Sequence, residues 1–153
     1  MASQDLQWLL TRSNSCFLVK QKGLGRIFSR EPANLAQLHS YKFSGLVNSK
    51  AVSIEAAPAG KGIVVTTKNS KKTPASIKGT QNSSTIKKGG SRRAAGVVSN
   101  IVAKKNYRAD LTKVAVARAS AIHRSQRSRK QQPARKTRGT GARKVVKIEE
   151  PIA

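Results

Sequence analysis

Positive charge is the sequence feature that most limits how this chain can fold. Its 153 residues include 31 Lys and Arg but only 6 Asp and Glu, which gives a formal net charge of +25. Because like charges repel and few carboxylates can relieve them, compaction favours a polyanionic partner. Nucleic acid is the polyanion that this density of cations indicates, since each neutralised phosphate releases a counterion. A membrane is disfavoured, because no run approaches the roughly 18 apolar residues that span a bilayer.

Large apolar residues are concentrated in the first half of the chain, and segment 1–67 is predicted to hold the core. The turn at 6–10 predicts a brief N-terminal helix. Short apolar or β-branched runs separated by turn residues then predict an antiparallel meander of about four or five strands, with a hairpin loop at 22–25. The runs lie at 16–20, 26–29, 41–47, 51–56 and 63–67.

Cysteine usage indicates a reducing compartment. The single Cys16 excludes an intramolecular disulfide framework and an all-cysteine zinc site. The apolar turn at 6–10 is too short for a secretory signal, and no small-residue cleavage site follows it.

Segment 68–93 is predicted to be a basic linker that is disordered in the free protein and fixed when RNA surrounds it. Lys, Ser, Thr, Gly and Asn dominate there, and Ile77 and Ile86 stand alone among them. Such a composition provides too little apolar surface for a core.

Segment 94–127 is predicted to form two helices that face RNA. The first carries Val97, Val98, Ile101 and Val102 at helical spacing. The second is expected to begin with Asp110 as its N-cap and to continue to about residue 127. At about 100° per residue, its apolar side chains share one face and its cations the opposite one. The apolar set is Leu111, Val114, Ala115 and Ile122, and the cationic set is Lys113, Arg124 and Arg127.

Arg118 conflicts with this pattern, because the same count places it within the apolar face. We expect its guanidinium to bond outside its own helix, most simply to an RNA phosphate. The alternative is that its stem passes the small Ala115 and Ala119 and places the charge in water.

Segment 128–153 has no periodicity and is predicted to be a basic tail that orders between RNA segments. The predicted fold class is therefore α+β. It consists of a small antiparallel β-sheet domain with a short N-terminal helix, a basic linker, two C-terminal helices and a tail that is disordered when free.

Catalysis finds little support in the sequence. Neither glycine-rich turn completes a dinucleotide or P-loop motif, the acids are scattered, and His39 and His123 have no neighbouring carboxylate to orient them. We therefore expect no enzyme activity, no cofactor, no metal and no small-molecule substrate.

RNA is favoured over DNA, because no zinc finger, basic zipper or recognition-helix pair is visible, and 13 of the 31 cations are Arg. A chromatin or nucleolar nucleic-acid-binding protein is the alternative. The residues predicted to bind RNA are the cations and polar side chains of the second half: Arg92, Arg93, Lys104, Lys105, Tyr107, Arg108, Lys113, Arg118, His123, Arg124, Arg127, Arg129, Lys130, Arg135, Lys136 and Arg138.

Seven segments, in the same order, resemble the eukaryote-specific large-subunit ribosomal protein twenty-eight family of the cytosolic ribosome. They are LQWLL (6–10), CFLVK (16–20), SREPANL (29–35), YKFSGL (41–46), GKGIVV (60–65), KNYRADL (105–111) and RASAIHRSQ (118–126). The sequence departs from the family pattern at Ala109, where the family has proline. Segments 68–93 and 128–153 match only in basic character.

The resemblance implies a small α+β structural protein on the solvent side of the large ribosomal subunit, without a catalytic role. Its implied partners are large-subunit rRNA and neighbouring large-subunit ribosomal proteins. Its implied location is the cytoplasmic ribosome, after passage through the nucleus and nucleolus during assembly.

Overall fold

A computed structural model describes residues 3–72, 76, 79–104 and 106–128. The helices are α1 (Gln4–Thr11), α2 (Ser91–Ser99) and α3 (Thr112–Ser125). The strands are β1 (Leu18–Val19), β2 (Phe28–Ser29), β3 (Val52–Ala56), β4 (Ile63–Lys68) and β5 (Gln81–Ile86). Short 3-10 turns at Tyr41–Phe43 and Ala109–Leu111, and a π-helical turn at Asn100–Lys104, complete the described elements. The α+β class is confirmed.

The central sheet has the antiparallel order β3-β4-β5. β-branched residues favour extended backbone, and the alternation of the pleat places every second one on the same face. Val52 pairs with Thr67, Ile54 with Val65, and Ile63 with Ile86, so these side chains share the face that the helices cover.

Helices α2 and α3 cover that face and pack against each other. Val98 and Val102 are fully buried between them and the sheet, and Ala115 and Ala119 are the buried residues of α3. Small side chains at these two positions let α3 approach the sheet closely. We call residues 51–128 the helix-covered sheet.

The N-terminal segment, residues 3–50, is built differently. Its antiparallel hairpin contains only β1 and β2, and most of its chain consists of turns. Leu35 and Phe43 join it to the core of the helix-covered sheet. Polar bonds hold the rest: the Glu31 carboxylate accepts from the Ser44 hydroxyl at 2.5 Å and from the Leu46 N–H at 2.8 Å.

Three local expectations are wrong. Segment 41–47 is not a strand, because Tyr41–Phe43 forms a 3-10 turn. Segment 68–93 is not without regular structure, because Gln81–Ile86 forms β5 and α2 begins at Ser91. Asp110 does not cap α3, since its carboxylate pairs with Arg108 instead.

The predicted hairpin between 16–20 and 26–29 is confirmed by the pairing of β1 with β2. The division into domains at residues 67, 93 and 127 concerns which segments fold alone, and it stays a prediction. The boundary at 67 falls inside β4, and the buried core takes residues from both sides of it.

Candidate nucleic-acid interface

The two faces of α3 differ in the way that its sequence predicts. Ala115 and Ala119 are buried against the sheet, whereas Lys113, Arg124 and Arg127 are exposed. Burial of one face orients the helix, and the helical repeat then points Lys113 and Arg124 outward. Arg127 lies just beyond the end of the helix and is exposed there. The exposed face can therefore meet phosphate without any rearrangement of the core.

Arg118 lies half-buried at the border of the packed face. The nearest acid along the chain, Asp110, is taken by Arg108 at 2.9 Å. Within the part of the chain that the structure describes, no hydrogen bond or ion pair of Arg118 is found. The guanidinium is thus left with its bonding capacity unused by these residues.

The Tyr107 hydroxyl forms hydrogen bonds within the protein. The Ala51 N–H donates to it at 3.1 Å, and the hydroxyl donates to the Lys68 carbonyl. Burial raises the pKa of the Tyr107 phenol. This side chain, predicted to contact RNA, ties the loop after the π-helical turn to both strands at one end of the β3–β4 pair.

Arg108 is likewise engaged within the chain. Its guanidinium donates to the Asp110 carboxylate and to the backbone carbonyls of Lys50 at 3.0 Å and Lys42 at 2.9 Å. The bond from Arg108 lowers the pKa of Asp110. Arg108 therefore fastens the N-terminal segment to the start of α3.

Arg92 and Arg93 are exposed in the first turn of α2. Cations are unfavourable at a helix N-terminus, because the helix dipole places partial positive charge there. The two cations therefore destabilise the start of α2 slightly, and a phosphate bound nearby would offset this unfavourable charge interaction.

A cleft of about 230 Å³ opens where the β3–β4 turn, the end of β5 and the C-terminal end of α3 meet. We call it the end cleft. Its polar rim consists of Lys61, Lys87, His123, Gln126 and Arg127, and its apolar floor includes Ile63 and Ala94.

Neutral groups fix the shape of the end cleft. The Gln126 amide donates to the Gly62 carbonyl at 2.8 Å and accepts from the Gly62 N–H at 3.0 Å. Gly62 has a φ of +98°, and a Cβ there would lie 2.3 Å from the Ile86 carbonyl oxygen. Only glycine fits this close approach of the turn to the end of β5.

His123 borders the end cleft with one ring nitrogen in use. Its Nε2 lies 3.4 Å from the Gly89 carbonyl oxygen. Its Nδ1 is buried and finds no hydrogen-bond partner among the residues described. A buried polar atom usually has a hydrogen-bond partner, so the hydrogen-bonding capacity at the edge of the cleft is not fully used by the described residues.

Several predicted contacts lie outside what the structure describes. Lys105, Arg129, Lys130, Arg135, Lys136 and Arg138 are outside the described residues, and the side chain of Lys104 is not described. Sequence reasoning in turn missed Lys61 and Lys87, which line the end cleft. Lys61 has a signal in the sequence, a lysine between two turn glycines, whereas no local pattern marks Lys87.

The described ranges contain neither a metal-binding cluster nor a membrane-spanning helix. No three His, Cys, Asp or Glu side chains there group in a way that could hold a metal ion. None of the described helices has the length and apolar character to cross a membrane. His39 lies 2.8 Å from the Arg12 carbonyl oxygen and packs beside Trp8, with 4.9 Å between ring centroids.

Comparison with known proteins finds one family over most of the chain. The model of the ribosomal L28e protein family matches residues 6–125. Large ribosomal subunit protein eL28 of Schizosaccharomyces pombe is 40% identical over 129 residues, which are 84% of this chain and 96% of that protein. The Caenorhabditis elegans protein of the same name is 40% identical over 124 residues, 81% of this chain and 90% of that protein. The Dictyostelium discoideum protein of that name is 35% identical over 138 residues, 89% of this chain and 98% of that protein.

Proposed function

The chain belongs to the ribosomal L28e protein family, and on this premise we propose that it is a structural constituent of the large subunit of the eukaryotic cytosolic ribosome. It binds large-subunit rRNA and stabilises it by neutralising phosphates. It also contacts neighbouring large-subunit ribosomal proteins and performs no catalysis. It works in the cytoplasm after nucleolar assembly.

The observation that carries this proposal is the separation of cations from acids. Lys113 and Arg124 point outward from a helix whose other face is fixed in the core, and Arg127 is exposed just beyond its end. Among the described acids, Asp110 pairs with Arg108, Glu31 accepts bonds from Ser44 and Leu46, and Glu55 accepts from Ser53 at 2.9 Å. The outward cations are therefore available to an external polyanion.

Cosedimentation tests the assembly part of the proposal. The full-length tagged chain, expressed in a eukaryotic cell, should sediment with large subunits through a high-salt cushion. Recovery only with chromatin, or affinity for duplex DNA equal to that for large-subunit rRNA, would favour the nucleolar or chromatin alternative instead.

Salt dependence tests the phosphate part. The two helices, the linker and the tail together could neutralise on the order of ten phosphates, which predicts a log–log slope of about −7 to −9 for binding to rRNA. A slope near about −2 would indicate recognition through a pocket or an apolar surface and would contradict the proposal.

Arg118 supplies a residue-level test. If its unused guanidinium binds an rRNA phosphate at the border of the core, Arg118→Ala should reduce incorporation into large subunits more than Lys113→Ala, which removes one fully exposed cation. Equal and small effects would show that Arg118 is a screened surface charge.

A further inference from the structure

Three cations from three separate elements border the end cleft. Lys61 comes from the β3–β4 turn, Lys87 follows the last residue of β5, and Arg127 follows the C-terminal end of α3. No residue that lines the cleft is acidic. Converging charges of one sign repel each other, so the arrangement disfavours the free protein unless an anion enters.

The cleft is held open by groups that carry no charge. Gln126 bonds both polar atoms of the Gly62 backbone, and His123 bonds the Gly89 carbonyl. Gly89 has a φ of +107°, and a Cβ on it would lie 2.6 Å from Cδ of Arg93. The backbone from which the three cations project is therefore set before any ligand arrives, which reduces the entropic cost of binding.

We propose that the end cleft seats a single backbone phosphate of RNA, held jointly by Lys61, Lys87 and Arg127. This inference rests on the proposed function and adds to it a particular site, on residues mostly outside the two C-terminal helices. The phosphate links the turn, the end of β5 and the end of α3, so binding RNA stabilises the corner where these elements meet.

The position of Arg127 favours an RNA strand over a free anion. Arg127 also borders a second, shallower groove on the outer side of α3, which Arg124 and Ser128 line with it. The end cleft is thus continuous with the cationic face of α3. A polymer can occupy both places, whereas a free phosphate ion can occupy only one.

Matched charge removal is the first test. Full-length Lys61→Met/Lys87→Met is compared with Lys20→Met/Lys22→Met, which removes two exposed lysines from the loop between β1 and β2. Binding is measured on the shortest large-subunit rRNA fragment that keeps wild-type affinity. The cleft variant should bind about tenfold more weakly and lose about one unit of salt slope, while the control changes less than about twofold. Equal losses in the two variants would overturn the proposal.

A neutral variant separates a built site from diffuse attraction. Gln126→Ala removes no charge but releases Gly62, so it should weaken RNA binding several-fold. The melting temperature of the protein at saturating RNA should stay unchanged. Lys61→Arg, which keeps the cation, should restore most of the affinity that Lys61→Met loses. If Gln126→Ala binds RNA as tightly as the wild type and only the number of charges matters, the cleft is not a defined phosphate-binding site.

Phosphate substitution identifies the ligand. Methylphosphonates, which are uncharged, replace the phosphates of the fragment one at a time. One position should weaken wild-type binding about tenfold and leave the Lys61→Met/Lys87→Met variant unaffected. Uniform small effects at all positions would overturn the proposal. Inorganic phosphate at millimolar concentration should not protect Lys61 and Lys87 from acylation; protection equal to that by RNA would assign the cleft to a free anion.

Failure of the broader function has a different signature. A wild-type chain that binds no large-subunit rRNA fragment overturns both proposals. If the wild type binds rRNA with a steep salt slope, but the cleft variant shows no coupling to any single phosphate, only the phosphate site in the end cleft is overturned.

Discussion

The N-terminal segment and the helix-covered sheet reach order by different means. In residues 51–128, aliphatic side chains from three strands and two helices bury one another, and Ile63, Val98 and Val102 have no exposed surface. In residues 3–50, Leu35 and Val47 are the buried large aliphatics among the described side chains, and three polar residues, Ser29, Asn34 and Ser44, are buried with them. Side-chain bonds to backbone groups take the place of a core there. We therefore expect the first region to depend on the second, whereas the sequence predicts that residues 1–67 hold the core.

Truncation should have the largest effect on the stability of the two regions. A chain that ends at Thr67 loses β5, α2 and α3, and it exposes Val52, Ile54, Ile63 and Val65. Each buried aliphatic side chain contributes about 1.5 to 3 kcal/mol, so the loss is about 6 to 12 kcal/mol. That is comparable with the whole stability of an ordinary domain, about 5 to 15 kcal/mol. Circular dichroism should show no cooperative unfolding.

A chain that ends at Ser128 is the matched control, because every residue of the described core precedes that position. It should still unfold cooperatively. Proteolytic survival of 1–67 as a stable fragment, with 68–128 degraded, would reverse the comparison and restore the division expected from composition.

Tyr107→Phe should have the next largest effect. It deprives the Ala51 N–H and the Lys68 carbonyl of their partner at the junction between the two regions. Leaving buried polar groups unsatisfied should lower the free energy of unfolding by about 2 kcal/mol in urea titrations. Tyr41→Phe, which removes a surface hydroxyl that bonds Asp5, is the control and should change the free energy of unfolding much less.

The pH dependence of the same variant sharpens the test. Because burial raises the pKa of Tyr107 in the folded protein, its contribution is present below the unfolded pKa of about 10 and is lost as pH rises through the folded value. The stability difference between wild type and Tyr107→Phe should therefore shrink in alkaline buffer. A difference that stays constant to the alkaline limit would contradict this assignment.

Lys68→Met should have a smaller effect, confined to the N-terminal segment. The Lys68 ammonium donates to the carbonyls of Asn48 at 3.0 Å, Leu46 at 3.2 Å and Gly45 at 3.5 Å. These carbonyls lie near solvent, so water replaces part of the loss, and we expect about 1 kcal/mol. Hydrogen exchange should accelerate at 44–48 and not in α3. Lys113→Met removes the same charge from an exposed site and should leave both regions unchanged.

Asp110→Asn should have the smallest effect. Its pair with Arg108 lies within the helix-covered sheet and orients the guanidinium that bonds the N-terminal segment. The Asp110 side chain is 43% exposed, so solvent screens the attraction and we expect less than about 0.5 kcal/mol. Arg108 lowers the pKa of Asp110. The contribution is therefore present above the unfolded pKa of about 3.9 and is lost as pH falls through the folded value. Acid titration of both chains checks this, and a larger difference in 1 M salt would contradict it.

Local chemistry explains which parts of the fold were predictable. Ile63, Val64 and Val65 favour extended backbone by themselves, and the apolar spacing in α3 points its cations outward by geometry alone. β5 was missed because Gln81 to Thr85 has no apolar alternation, and its place is set by backbone pairing with β4. No property of the segment in isolation contains that information.

The candidate site was predictable to the same extent. The outward placement of Lys113 and Arg124 follows from helical periodicity, whereas Arg127 lies beyond the end of the helix. Tyr107 and Arg108 were predicted to contact RNA because aromatic and guanidinium groups often do, but their hydrogen bonds go to backbone groups far away in sequence. The end cleft was missed for the same reason, since Lys61, Lys87 and Arg127 meet only after the chain has folded.

The edge of the central sheet has a consequence for how the protein behaves before it is assembled. β5 pairs with β4 on one side, and its other side has no strand among the described residues. Open edges invite a second copy of the same chain to add a strand and begin aggregation. Lys87 and Lys88 directly follow this edge and add positive charge to it, and lysines at an edge strand disfavour the addition of a strand from a like-charged copy. Mutual repulsion should therefore keep newly made copies apart, so that the excess of lysine acts as a solubility device during the interval before the protein meets its partner.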